Sequence, residues 1–256
     1  MSKLSLLVAV IAGFAFVPIC RAAESSSARV PVLLELFTSE RCSSCPPADR
    51  LLEILDEKQP VAGADLIVLS EHVDYWNSLG WKDPFSSSQY TARQQDYSNR
   101  YNLDSVYTPQ LVVDGRYGFV GSDGHEASAA IQRAIRERKI PITISNVVRN
   151  GNQVTARIDS PADQNFKGVR GILYVALADN RQESHVVHGE NAGRSLAHVA
   201  VTRVLKQVGI IELDSASTKE IALPVRPESA ASGSRLVAFL QDPKSGHVLG
   251  VTEQKL

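Results

Sequence analysis

The sequence predicts an α/β domain over residues 30–140, followed by a mainly β, sandwich-like domain over residues 141–256. Three observations carry this expectation. Apolar, branched-residue runs at Val30–Phe37 and Asp65–Ser70 bracket a helical pattern at Ala48–Leu55. From Ile142 onward the chain offers short alternating runs separated by turn residues. Between the two regimes, Ile140-Pro141 marks a change of character.

Val30–Phe37 is continuously apolar, the habit of a strand buried on both faces of a parallel sheet. A polar turn, Thr38-Ser39-Glu40-Arg41, leads into Cys42-Ser43-Ser44-Cys45. Strand, helix and second strand in this order imply a right-handed βαβ unit. His72–Asp83 is irregular and holds both tryptophans, Trp76 and Trp81, while Ser86–Arg100 is polar and helical in pattern. After Tyr107-Thr108-Pro109, Gln110–Val113 and Arg116–Val120 read as a hairpin turning at Asp114-Gly115. Ala127–Arg138 is an amphipathic helix, with Ala130, Ile131, Ala134 and Ile135 on its apolar side. The later runs are ITISNVV, VTARI, GILYVALA, EIALPV, RLVAFLQ and VLGVTE, with separators such as Asn150-Gly151 and Pro243-Lys244-Ser245-Gly246. Short strands with turns between them predict an antiparallel sandwich.

At the N-terminus, Lys3, an apolar run from Leu4 to Ile19 and the small residues Ala22 and Ala23 predict a signal peptide over residues 1–23. The run is short for a membrane span. Bulky Ile19 directly before Cys20 argues against a lipid-modified cysteine, so Cys20 is expected to leave with the signal. Loss of Lys3 and Arg21 then leaves 25 basic against 28 acidic residues. That balance gives no electrostatic case for nucleic acid or an anionic membrane surface. The expected location is the periplasm or beyond, and oligomeric state is not legible.

Cleavage would leave one cysteine pair, two residues apart. Disulfides of exported proteins usually restrain long loops. A bridge this short closes almost nothing, so chemistry explains it better than stability. A structural zinc site uses the same spacing but needs four ligands. His185, His188 and His198 could complete one only from the other predicted domain, so no metal site is expected. A cysteine between a strand and a helix meets unpaired amides that favour the thiolate. Arg41 acts in the same direction and Glu40 opposes it. Thr108-Pro109 stands directly before a strand, where a proline that cannot join the ladder belongs. A cis bond there would turn the backbone toward the cysteines, although trans is the default.

The order strand, CxxC, helix, strand, inserted helix, proline, hairpin, helix resembles the thioredoxin fold over residues 30–140. LELFTSERCSSCPPAD, HVDYWNSLGWKDPFSSSQYTARQQDY, VYTPQLVVDG and, further on, GENAGRSLAHVAVTRVL resemble an uncharacterised family of bacterial secreted thioredoxin-like proteins. The resemblance implies an α/β thioredoxin-like domain followed by the β sandwich-like one. It implies Cys42 as attacking thiolate, Cys45 as resolving cysteine, Pro109 as a cis proline and Thr108 as backbone partner of an extended substrate peptide. The sequence departs from thioredoxins at Arg41, in the Trp-rich insertion and at Pro46-Pro47. The double proline pushes Cys45 and Pro46 away from helical geometry, which predicts a regular helix starting only at Pro46 or Pro47.

Other residues attract attention and are read conservatively. His185 and His188 face opposite ways at strand spacing, and Gly189–Arg194 lacks the strand-to-helix setting of a phosphate cradle. His72 and Asp74 lie where the carboxyl ends of the strands gather, the place where open α/β sheets bind ligands. Tyr75, Trp76 and Trp81 are read as packing. The expected function is exported thiol–disulfide exchange on protein cysteines, without a cofactor. A non-catalytic binding module and an envelope metal chaperone using both thiolates and a histidine are the alternatives.

Overall fold

The computed structural model describes residues 29–225 and 233–256, so the signal peptide expected over residues 1–23, Cys20 included, falls outside them. In chain order the elements are β1 (Val30–Thr38), α1 (Pro46–Lys58), β2 (Ala64–His72), α2 (Ser88–Arg100), β3 (Gln110–Val113), β4 (Tyr117–Val120) and α3 (Gly124–Ala134). There follow β5 (Thr143–Asn150), β6 (Gln153–Ser160), β7 (Arg170–His185), β8 (Ser195–Glu212), β9 (Ser217–Pro224), β10 (Ser234–Gln241) and β11 (Val248–Lys255).

Eight strands form one sheet in the order β11-β10-β7-β8-β2-β1-β3-β4, and β5-β6-β9 form a second sheet. This corrects the predicted fold class. The chain is mostly β, with three α-helices among the described residues, and it is not an α/β thioredoxin-like domain followed by a β sandwich-like one. The βαβ unit is present, with β1 and β2 parallel from Val30↔Ala64 to Thr38↔His72. What the sequence did not disclose is the occupant of the free edge of β2. There β8 pairs in parallel through Ser70↔Val201, so strands from either side of residue 140 share one sheet. β-Sheet partners are chosen by long-range packing, and no local pattern encodes that choice.

Alternation along β1 divides the interior. Val32, Leu34 and Leu36 face α1 and α3, packing on Leu52, Leu55, Ala130 and Ile131. Leu33 faces the other side with Ile67, Tyr90 of α2 and Phe239 of β10. The small sheet closes a third core, in which Val154, Ile158, Ile221 and Leu223 meet Val175, Leu177 and Leu236 of the large sheet. The large sheet curls, so that the Val248 amide at the start of β11 donates to the Asp114 carbonyl beyond β3 at 2.8 Å.

That closure rests on the Asp114-Gly115 turn. Asp114 accepts from the Leu33 amide at 2.9 Å and pairs with Lys139 at 2.6 Å. Gly115 has φ +62, and a Cβ there would stand 2.0 Å from the Gly246 carbonyl. Gly115→Ala would combine a left-handed backbone with a collision against backbone, and is expected to cost about 2–3 kcal/mol. Urea unfolding of the two proteins checks this; equal midpoints would show that the β10–β11 turn yields freely.

Candidate functional site

The cysteine turn stands between the carboxyl end of β1 and α1. Cys42 and Cys45 are joined by a disulfide, with Cα atoms 5.3 Å apart. The turn is built by Cys42 N–H to Ser39 O at 3.1 Å and Cys45 N–H to Cys42 O at 3.2 Å. Cys45 is the N-cap of α1, and Pro46-Pro47 fill the first helical positions, where a missing N–H costs nothing. The regular helix therefore begins at Pro46, as the double proline predicts. Cys45 itself, however, adopts φ −76, ψ −37, a helical conformation that the following proline normally disfavours; its carbonyl accepts from Ala48 and Asp49.

Both sulfur-bearing residues are covered, Cys42 being 2 % exposed and Cys45 fully buried. They lie one layer down, since Ser43 and Ser44 between them are exposed. The Thr108–Pro109 bond is cis. The Ser44 hydroxyl lies 3.5 Å from the Thr108 carbonyl and 3.4 Å from Cys42 Sγ. Thr108 is held from behind, its Oγ1 accepting from the Trp76 indole at 2.9 Å, and the Pro109 carbonyl accepts from Gly121 N–H at 2.9 Å.

Beneath the turn is a buried layer of acids and histidines. Asp49, one helical turn after Cys45, accepts from Thr38 Oγ1 at 3.0 Å. His198 of β8 stands 3.6 Å from Asp49 and 3.9 Å from Glu40. Its ring packs edge-on against His72 with centroids 4.6 Å apart. His72 Nδ1 is 2.7 Å from Asp83, and Asp83 also accepts from the Glu40 and Phe85 amides at 2.9 Å. Glu40 accepts from the Trp81 indole at 2.8 Å and from Ser184 of β7. Burial pushes the Asp83 carboxyl up, but His72 and the two amides outweigh it and hold it below its ordinary value. For His198, burial works against the charged form, and the Asp49, Asp83 and Glu40 carboxylates overcome it, raising the imidazole pKa.

Several sequence-stated candidates land differently from expectation. His72 is fully buried in this layer, whereas Asp74 is engaged by the Thr91 hydroxyl at 2.6 Å. His185 and His188 are exposed, but His198, assigned from sequence to another domain, lies against His72. The two tryptophans are more than packing, because their indole N–H groups hold Thr108 and Glu40. Among the described residues no trio of His, Cys, Asp or Glu is arranged to hold a metal ion. Sequence reasoning missed Asp49 and Asp83, and it gave Gly189–Arg194 no part in the site, although that loop packs on the cysteine turn. Asn191, fully buried, donates to the Glu40 and Cys42 carbonyls at 2.8 and 3.0 Å. An acidic residue in the first turn of a helix is commonplace, and nothing local marks the others.

Comparison with known structures gives the fold company. A structural-genomics protein from Agrobacterium tumefaciens is 27% identical with a TM-score of 0.67, the match covering 90% of this chain and 96% of that one. HBP35 of Porphyromonas gingivalis is 15% identical with a TM-score of 0.63, over 90% of this chain and 76% of that one, a likeness of fold. No functionally curated protein matches. Residues 33–241 match the family described as Protein of unknown function (DUF1223), and with most of its length inside that match the chain belongs to this family.

Proposed function

We propose that the protein is an exported thiol–disulfide oxidoreductase acting on protein cysteines through Cys42 and Cys45. The observation that carries the reading is the disulfide itself, which spans two residues at the end of a buried strand and so restrains almost none of the unfolded chain. Thr108, its carbonyl within reach of Ser44, and Pro109 next to it are the proposed substrate-binding backbone. The N-terminal pattern supports export. Acting as oxidant, the pair receives a partner thiolate at Cys42 Sγ. A mixed disulfide forms, the Cys42–Cys45 bond breaks, and Cys45 leaves as thiolate. A second partner thiolate then attacks the partner's own sulfur and releases Cys42. The partner dithiol is oxidised by two electrons, and Cys42 and Cys45 are reduced and take up two protons.

The burial of both cysteines favours a second reading, in which the disulfide is fixed and the protein is a binding module. One experiment separates the two. A Cys45→Ser protein expressed with its leader is expected to accumulate partners attached at Cys42, visible on non-reducing gels and lost on adding dithiothreitol. The Cys42→Ser/Cys45→Ser protein should show none. No adducts from Cys45→Ser in cells would transfer support to the binding module.

A further inference from the structure

The Gly189–Arg194 loop is a built element. It closes on itself through Gly193 N–H to Val186 O at 2.7 Å, Val186 N–H to Arg194 O at 3.0 Å and Ala192 N–H to Gly189 O at 3.1 Å. Asn191 anchors it to the cysteine turn, its own Oδ1 held by Arg194 at 2.8 Å. Its neighbour Glu190 is exposed and makes a lighter contact, accepting from the Ser43 amide, between the two cysteines, at 3.2 Å. Arg41 lies alongside, so close to Gly189 that a Cβ there would meet its guanidinium at 2.7 Å, and its buried Nε has no hydrogen-bond partner. Hydrogen bonds from Ser43, then the Arg41 charge, hold the Glu190 carboxyl below its ordinary range.

Cys42 can react with a protein only if something covering it moves. Asn191 is buried with three hydrogen bonds, whereas Glu190 is exposed and held through Ser43 alone, so Glu190 is the part that gives way. Its departure leaves a free amide donor beside Cys42 and a guanidinium next to it, a pair suited to a carboxylate. We propose that Ser43 N–H and Arg41 form a subsite for an acidic side chain beside a partner's reactive cysteine, with Glu190 as its resident stand-in. The inference rests on the proposed exchange activity and names the chemistry of its preferred partners. A basic residue at the same place would face Arg41 and be rejected by like charge.

The test uses the oxidised protein and two reduced cysteine peptides, identical except for Glu or Lys beside the cysteine. Each peptide thiolate attacks Cys42 Sγ, forming a mixed disulfide and freeing the Cys45 thiolate, which is counted by rapid alkylation. The Glu peptide is expected to react about tenfold faster than the Lys peptide, with the ratio shrinking as salt is added. Arg41→Gln should bring the ratio to within about twofold. Glu190→Gln should speed the Glu peptide several-fold while keeping its advantage. Equal rates for the two peptides with the unaltered protein, or a full preference surviving in Arg41→Gln, would overturn the subsite. Reduction by dithiothreitol, which carries no charged group besides its attacking thiolate, reports access to the disulfide separately. A charge preference in these rates alongside an empty trap in cells would leave the subsite standing and remove the exchange function.

Discussion

Arg93→Met is expected to cost about 3–5 kcal/mol of folding stability, the penalty for leaving a buried charge without its partner. Arg93 projects from α2 to Glu35 in the middle of β1, with Nε 2.5 Å from the carboxylate. Tyr97 completes the acceptor, donating to the other Glu35 oxygen at 2.6 Å. The guanidinium is 5.1–5.2 Å from the ring centroids of Tyr97, Tyr174 and Phe239. Two of those rings come from β7 and β10, so this one side chain joins the βαβ unit to the distal strands of the sheet.

The neighbouring Glu71 makes the prediction sharper. It is fully buried, 3.8 Å from Arg93, and neither carboxyl oxygen has a hydrogen-bond partner. Burial first, then the Glu35 charge, push its pKa well up, against the pull of Arg93. A raised carboxyl carries its proton in the fold and loses it on unfolding, so its contribution is full at low pH and falls as pH rises past 4.5. Glu71→Gln should therefore be neutral or stabilising, more so at pH 8 than at pH 5. Arg93→Met should be costly at both pH values, because it leaves the buried Glu35 carboxylate without its cation. Urea unfolding at the two pH values measures both; a larger loss from Glu71→Gln than from Arg93→Met would show that Glu71 is ionised and paired.

Neither carboxylate stood out in the sequence, and the reason is physical. Glu35 sits inside VPVLLELF, a run that reads as a buried strand because its apolar neighbours dominate the pattern, and Glu71 directly follows the run DLIVLS, beyond the expected end of its strand. A carboxylate buried on both sides must find a cation, but its identity depends on a helix 58 residues away. The same limit hid β8. Its sequence, SLAHVAVTRVLKQVGIIE, is rich in valine and isoleucine and is the longest strand among the described residues, yet its polar interruptions broke the alternation that marked the other strands. Overlooking it left the edge of β2 open in the predicted fold and left His198 far from His72. What was legible was local: the helices near Ala48–Leu55, Ser86–Arg100 and Ala127–Arg138, the Asp114-Gly115 turn, and the spacing that lets Cys42 meet Cys45. The Glu190–Ser43 contact joins residues 147 apart, and no property of the Gly189–Arg194 segment points to it.

Asp83→Ala is expected to cost about 3–4 kcal/mol near neutral pH, since it strips an acceptor from two buried donors and a half-buried one at once. These are His72 Nδ1 and the amides of Glu40 and Phe85. Asp83 should also set the acid limit of the fold. Its folded pKa lies below the ordinary 3.8, so its stabilisation is complete above that value and disappears as pH falls through the folded one. His198 acts at the other end with opposite sign. Its folded pKa lies above the ordinary 6.5, so its contribution is present below 6.5 and is lost as pH rises through the raised value. The groups facing it are Glu40, Asp49, Asp83 and the His72 ring, three acids against histidines alone. Stability should therefore be greatest between the carboxylate and imidazole ranges. Asp83→Ala should flatten the acid side, and His198→Gln should flatten the alkaline side while leaving the acid side intact. Unfolding midpoints from pH 3 to 9 would decide the assignment, and a Asp83→Ala protein that retains the full acid slope would move the origin of that slope to another carboxylate.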